Sequence, residues 1–325
     1  MVAATKAKAE IFDASMFAYH QREELSSSGM GNFLEDPEEW WLVRKGILPK
    51  RHPSASMEFG TIVHGIIENG GDIDKFVCRR PPEFDDFKPM RGWESAVEIP
   101  QELIRENGSI QTGKDYTEWK KEFNNPKTSL KDGEDGTLIM KPNDYQAHQQ
   151  YAAWYKANEN KKFLNADEPN PFELIVNAIR ACDLTRHWLD EIEPWHKEKN
   201  VRWLHEPSGL WCRCRIDLHD PRGVIVDFKT TKDIRRHKFL NQALGLNYLN
   251  KAAFYQLAVE QLTGEIQPFV ILAIKNQPGY GIKPYELPER RMAEAREFVN
   301  QTLIEMAQFD FDQFQANKQL ESLEQ

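Results

Sequence analysis

The residues with the greatest chemical potential lie between Gly209 and Lys232, a stretch that contains Asp217, Asp227 and Lys229. Carboxylates suit a hard divalent cation such as Mg²⁺, which prefers oxygen ligands and often takes only one or two carboxylates from a protein. A cation so held polarises a phosphoryl oxygen and lowers the pKa of a bound water. Lys229 would hold that water or offset charge building on the phosphate. An Asp-x-Lys triplet on a strand is common by chance and weak alone, so the competing account is a surface hairpin with an ordinary ion pair.

The hairpin that must position these groups is written in the same stretch. Leu210–Leu218 alternates well enough for a strand, Asp220-Pro221-Arg222-Gly223 is a turn cluster, and Val224-Ile225-Val226 is β-branched. Alternation puts Asp227 and Lys229 on one face, with Val226 and Phe228 turned into a core and Asp217 arriving from the partner strand. A second element lies upstream. A helix from Ser54 or Ser56 to about Asn69 carries Phe59, Ile62, Val63, Ile66 and Ile67 as its apolar stripe, with Gly70-Gly71 as the stop. His64 flanks the stripe, and a lone helical histidine is more often structural than a ligand. Gly60, one turn earlier, would let another backbone, such as the hairpin, approach closely.

Taken together, Asp217, a turn, a hydrophobic run and Asp227-Phe-Lys229-Thr-Thr resemble the PD-(D/E)xK nuclease superfamily, with Asp at 227 where Glu is commoner. The Gly60-Thr-Ile-Val-His64 helix upstream resembles its RecB-type branch. Phe17-Ala-Tyr-His20, Ser26-Ser-Ser28, Asp36-Pro37 and Leu210-Trp-Cys-Arg-Cys-Arg-Ile-Asp217 resemble the exonuclease VIII (RecE-like) nuclease domain. The resemblance implies that His64, Asp217, Asp227 and the Phe228 carbonyl ligate Mg²⁺ or Mn²⁺, and that Asp217, Asp227 and Lys229 are catalytic. It further implies a 5′ to 3′ exonuclease acting on double-stranded DNA ends, a ring-like homo-oligomer, and recombination or phage-type DNA processing beside a single-strand annealing protein. The related domains often carry Gln-x-x-x-Tyr on the helix after the hairpin. Here Tyr255 matches as a substrate contact and Lys251 departs. Two alternatives stand beside this account: a single-strand or flap nuclease of the same superfamily, and a non-catalytic DNA-binding module on a nuclease scaffold.

Composition bounds these options. The 325 residues suffice for one large or two ordinary domains, and 40% hydrophobic content supports a packed core. Mean hydropathy is −0.67 and no apolar run approaches ~18 residues, so a membrane span is not expected. The N-terminus has no apolar signal core, which points to a cytoplasmic protein. Cys212 and Cys214 share a strand face without a C-x₂-C pair, so reduced buried thiols are expected rather than a metal cluster. The net charge of −9 argues against a uniformly basic surface. Lys232, Arg235, Arg236 and Lys238 follow the hairpin directly and are candidates for phosphate contacts, against the alternative of a solvated helix start.

The remaining chain reads as a frayed tail over 1–10, a short helix within Phe12–Leu25, and helices capped by Ser26–Ser28 and Asp36. Loops with one short strand follow over 72–110, then a short amphipathic Gly113–Glu122 and a helix capped by Asn143. Its Tyr145, Tyr151, Trp154 and Tyr155 suit packing. Pro171–Ile192 reads as one long helix with Leu174 and Leu184 inward, and Val201–Leu204 as a short strand. A long helix runs from Lys238 to Leu262, then come a strand at Ile266–Ile274, another at Gly281–Leu287, a helix at Glu289–Ala307 and a frayed end. The fold class is α/β: a mixed central sheet flanked by helices, a restriction-endonuclease-like core. One nuclease domain spans 1–325, with a helical N-terminal segment over 11–70, a mostly helical insertion over 111–198 and the catalytic core over 199–310.

Overall fold

The computed structural model describes residues 8–49, 55–131 and 134–316. Two compact units divide the chain: Met1–Ile73 with Asn170–Gln325, and Asp74–Pro169. The second of these units overlaps the expected helical insertion over 111–198.

The first unit opens with β1 (Ala9–Ile11), α1 (Met16–His20), β2 (Leu25–Ser26), α2 (Ser27–Glu35), α3 (Pro37–Arg44) and α4 (Ala55–Glu68). The caps follow the sequence. The Ser26 hydroxyl accepts from the Gly29 N–H at 3.1 Å, and Asp36 Oδ1 accepts from the Glu39 N–H at 2.9 Å. Ser54 lies outside the described residues. Part of the expected frayed tail is instead β1, which pairs antiparallel with the strand at Lys197–His205.

The second unit contains β3 (Val77–Arg79), β4 (Val97–Glu98), α5 (Lys114–Lys120), β5 (Ile139–Met140), α6 (Pro142–Asn158) and β6 (Lys162–Leu164). β3 pairs with β6 and β4 with β5, both in parallel. Helix α6 starts one residue before the expected Asn143 cap, because Pro142 occupies its first turn. Its aromatics do pack: Tyr151 lies edge-on to Phe84 at 5.4 Å, and Trp154 meets Phe163 at 4.9 Å.

The first unit then resumes with α7 (Pro171–Arg180), α8 (Asp183–Arg186), β7 (Lys197–His205), β8 (Leu210–Asp220), β9 (Val224–Thr231), α9 (Arg236–Gly245), α10 (Tyr248–Thr263), β10 (Phe269–Lys275), β11 (Ile282–Glu286), α11 (Glu289–Gln308) and α12 (Phe311–Ala316). The sheet runs β1-β7-β8-β9-β10-β11, with β2 beside β8. β9–β10 and β2–β8 are parallel and the other pairs antiparallel, so the sheet is mixed as expected.

Two expected long helices are broken. Pro171–Ile192 stops at Cys182, which is extended, and the Thr185 hydroxyl donates to the Ile179 carbonyl at 2.6 Å in place of a helical N–H. Leu174 and Leu184, expected inward, are exposed. The helix from Lys238 is split between Gly245 and Tyr248, where Asn247 adopts φ +55°, a conformation asparagine tolerates. Within the expected frayed end, α12 is formed over Phe311–Ala316. Trp41 stacks on Phe311 at 4.1 Å while Trp40 meets Phe309, so each of the adjacent tryptophans finds its own aromatic partner.

The main core lies between the sheet and α10, whose Ala252, Ala253, Phe254, Ala258 and Val259 are buried with Trp203, Cys212 and Cys214. At the far end of the hairpin, Gly223 takes φ +83° and its N–H donates to the Asp220 carbonyl at 2.9 Å. Asp220 is fully buried. It accepts from Trp188 Nε1–H at 3.0 Å, from the Arg222 N–H at 2.9 Å and from Arg222 Nη2 at 2.7 Å. Burial works to raise this carboxyl, but the Arg222 and Trp188 hydrogen bonds outweigh it and hold the group at about 2. Its stabilisation is thus present above the ordinary carboxylate range and is lost as pH falls through about 2. Asp220→Ala leaves Trp188 and Arg222 without their acceptor and is expected to cost about 2–4 kcal/mol in urea unfolding at pH 7, with a smaller difference from wild type at pH 2.

Candidate active site

The site begins where the hairpin ladder stops. β8 and β9 pair at Leu218↔Val226, His219↔Ile225 and Asp220↔Val224, and no further. Beyond that point Asp217 Oδ2 accepts the Phe228 N–H at 2.7 Å, a carboxylate standing where a strand carbonyl would be. The Phe228 carbonyl meets His64 Nε2 at 2.9 Å, and the two rings lie edge to face at 5.8 Å. Both backbone groups of Phe228 thus take side-chain partners, one from the neighbouring strand and one from α4. Gly60 matters for the approach of α4: a Cβ there would lie 3.3 Å from Thr230 Oγ1 on β9, so the close neighbour is a hairpin side chain.

His64 Nδ1 is 3.6 Å from Asp217 Oδ2 and 3.8 Å from Glu198 Oε1. His64, Glu198 and Asp217 each present a ligand atom within 4.8 Å of the others. Glu198 is the residue that sequence reasoning missed. It lies in β7 between Lys197↔Leu218 and Lys199↔Ile216, hence across the ladder from Asp217. Only the β7–β8 register could have revealed it, and the strand had been expected to start at Val201. Glu198 is hydrogen-bonded to the Arg215 guanidinium, which balances its charge. Glu206, near the turn that follows β7, pairs with Lys8 at the surface.

Asp227 lies beside this cluster. Its oxygens take Lys229 Nζ at 2.7 and 2.6 Å, and the same ammonium is 3.5 Å from the Phe228 carbonyl. The expected sharing of a face by Asp227 and Lys229 therefore appears as a direct ion pair. Burial works to lower the Lys229 ammonium, but Asp227 and Asp217 raise it further, keeping it charged.

Tyr255 lines a crevice of about 10 Å³ with Asp227, Lys229, Tyr248, Lys251, Ala252 and Phe269. Burial, then the Asp227 charge, hold its phenol protonated. Lys232, Arg236 and Lys238 are exposed around the start of α9. Arg235 is exposed too, but its Nη2 is 2.5 Å from Asp233. A cavity of about 530 Å³ involves none of the expected site residues. It lies among α1, α2, α3 and Arg213.

Two carboxylates, an imidazole and a carbonyl form a donor set suited to Mg²⁺ or Mn²⁺. The Nδ1 edge of His64 faces Asp217 and Glu198 while Nε2 meets the Phe228 oxygen, so one of the two ring nitrogens would serve an ion and the other would stay hydrogen-bonded. Burial works to lower the His64 imidazole, but Asp217 and Glu198 outweigh it and lift the group to about 9. Burial first, then the charge of Asp227, raises Asp217. Without an ion the cluster therefore retains protons that an ion would replace.

Fold and site together define a PD-(D/E)xK-like domain. A family model described as a PDDEXK-like domain of unknown function (DUF3799) matches residues 26–317, and the chain belongs to that family. No curated protein matches the sequence. A crystal structure from Eubacterium rectale described as a "Putative exonuclease" is similar, at 16% identity and a TM-score of 0.45, over 97% of each chain. No helix among the described residues is long and apolar enough to cross a membrane.

Because ligation needs a neutral imidazole, Mn²⁺ affinity is expected to rise steadily from pH 6 to pH 9, with proton release on binding. Calorimetry in buffers of different ionisation enthalpy measures both. Above pH 9 the dependence flattens, since the imidazole is then neutral beforehand.

Proposed function

We propose that the chain is a metal-dependent nuclease that hydrolyses phosphodiester bonds of linear double-stranded DNA from its ends. The observation that carries this is the meeting of His64, Glu198, Asp217 and the Phe228 carbonyl next to the Asp227–Lys229 pair. On this reading His64, Asp217, Asp227 and the Phe228 carbonyl hold Mg²⁺ or Mn²⁺, with Glu198 either joining them or orienting His64. The bound ion supplies Lewis-acid polarisation of the phosphoryl oxygen and a more acidic water.

The chain's own groups do the rest. Lys229, kept charged by Asp227, donates hydrogen bonds to the attacking water and offsets charge on the phosphate in the transition state. Lys232, Arg236 and Lys238 meet backbone phosphates, Arg235 does so once released from Asp233, and Tyr255 supports the substrate side of the crevice. A 5′ to 3′ direction, a ring-like homo-oligomer, a single-strand annealing partner and a role in recombination or phage-type DNA processing are the finer parts of the proposal, supported by the RecE-like motifs at Ser26–Ser28, Asp36-Pro37 and Leu210–Asp217.

Lys229→Ala is expected to slow digestion of linear duplex with Mg²⁺ by about 10²–10⁴-fold while leaving the melting temperature within a few degrees of wild type. Digestion by the purified variant at the wild-type rate would reject the mechanism. Duplexes blocked at the 5′ or the 3′ end test the direction. Glu198→Gln is expected to weaken Mn²⁺ binding about 10–100-fold, read by calorimetry.

A further inference from the structure

The crevice beside Asp227 has an unusual charge content. Its lining supplies one carboxylate, Asp227, against two ammonium groups, Lys229 and Lys251, and two phenols, Tyr248 and Tyr255. Lys229 already satisfies Asp227. Lys251 has no hydrogen-bond or ion-pair partner among the described residues, and its Nζ lies 5.8 Å from the centre of the Tyr248 ring. Lys229 Nζ lies 5.7 Å from the same ring. Both ammonium groups are thus within cation–π reach of one ring, which eases each cation's loss of water.

Helix geometry fixes this placement. Tyr248, Lys251 and Tyr255 are spaced three and four residues apart on α10 and project from one side of it. Tyr248 is buried, which anchors the ring, and Ala252 leaves room beside the lysine stem. Burial first, then the neighbouring Lys229, lowers the Lys251 ammonium, against the opposing charges of Asp227 and Glu35.

A divalent ion needs several oxygen ligands. On the far side of Asp227, among His64, Glu198, Asp217 and the Phe228 carbonyl, such oxygens converge. In the crevice an ion would find a single carboxylate, Asp227, and two like charges, Lys229 and Lys251. A phosphate oxygen would find two ammonium donors, and the volume of about 10 Å³ holds roughly one oxygen-sized group.

We propose that the Lys251 ammonium stands in for a second divalent ion on this side of Asp227. The chain then holds one divalent ion per site and meets the scissile phosphate with a fixed lysine cation opposite it. This rests on the nuclease reading for the identity of the phosphate, while the ion count does not depend on activity.

The test uses the full chain. Calorimetric titration with Mn²⁺ is expected to give one ion per wild-type chain and none for Asp217→Asn; two ions per wild-type chain would overturn the proposal. Duplex binding is measured in EDTA across a salt series. Lys251→Gln is expected to weaken it about tenfold at low salt and to reduce the log–log salt slope by about one, and Lys251→Arg to retain the wild-type slope. A slope unchanged in Lys251→Gln would overturn the lysine's role, and a loss equal in Lys251→Arg would do the same by exposing a purely structural defect. Digestion of linear duplex with Mg²⁺, followed in parallel, separates the two readings. A wild-type chain that binds one Mn²⁺ and obeys the slope prediction, yet digests nothing, rejects the nuclease reading and leaves the ion count standing.

Discussion

The structure of the site depends on one hydrogen bond, from the Phe228 N–H to Asp217 Oδ2 at 2.7 Å. A strand that leaves its neighbour exposes backbone donors and acceptors that must find other partners when buried. Here β8 and β9 part after Leu218↔Val226. The carboxylate of Asp217 occupies the gap and binds the donor, while the orphaned carbonyl turns toward His64. Had the ladder continued, the Phe228 oxygen would have been spent on a strand N–H and the two carboxylates would have faced each other across an ordinary sheet. The opening is what converts a hairpin into a pocket of oxygen atoms. Asp220 secures the other end of the same hairpin through Trp188 and Arg222, so the splay begins from a pinned turn.

Charge bookkeeping within the site is local and close. Glu198 is matched by Arg215, and Asp227 by Lys229. Asp217 has neither an arginine nor a lysine bonded to it, only the Phe228 N–H and the imidazole. That leaves one negative position with its nearest cationic partner titratable, so an incoming divalent ion can displace protons instead of breaking a fixed salt bridge. The net charge of −9 bears little on this, because the groups that face one another are paired within a few ångströms.

Much of this was legible in the sequence, and the misses have physical causes. The turn at Asp220–Gly223, the β-branched run after it, and the Asp-x-Lys spacing carry strong local signals, and the helix with Gly60 and His64 is bounded by Gly70-Gly71. Those signals point to the residues that the structure brings together as the candidate site, and to the mixed sheet. The two broken helices were missed because continuous apolar periodicity hides a break made by a single residue: Asn247 in the left-handed region, or Thr185 bonding back to Ile179. β1 was missed because its three residues gain order only by pairing with β7. Glu198 was invisible for a related reason. Lys-Glu-Lys is an ordinary charged run, and its value comes from lying opposite Asp217 in a register that no local pattern encodes.

Glu198 also carries backbone strain. It adopts φ +50°, which a β-carbon makes unfavourable by about 1–2 kcal/mol, and it does so inside a strand whose other residues are extended. A glycine would remove that cost, so something must compensate for the glutamate. Its carboxylate provides the compensation: it faces His64 and is bonded to Arg215, and both contacts fall on the same cluster of donors. Strain of this kind persists where the surroundings over-determine a conformation, which is most often at a functional site. The positive φ at Glu198 and the end of the β8–β9 pairing at Asp217 lie across one ladder from each other, at the same level of β8. Two independent departures from regular sheet geometry, each turning a carboxylate toward the same imidazole, are difficult to explain as packing alone. They follow directly if the backbone is shaped to hold oxygen ligands around one cation.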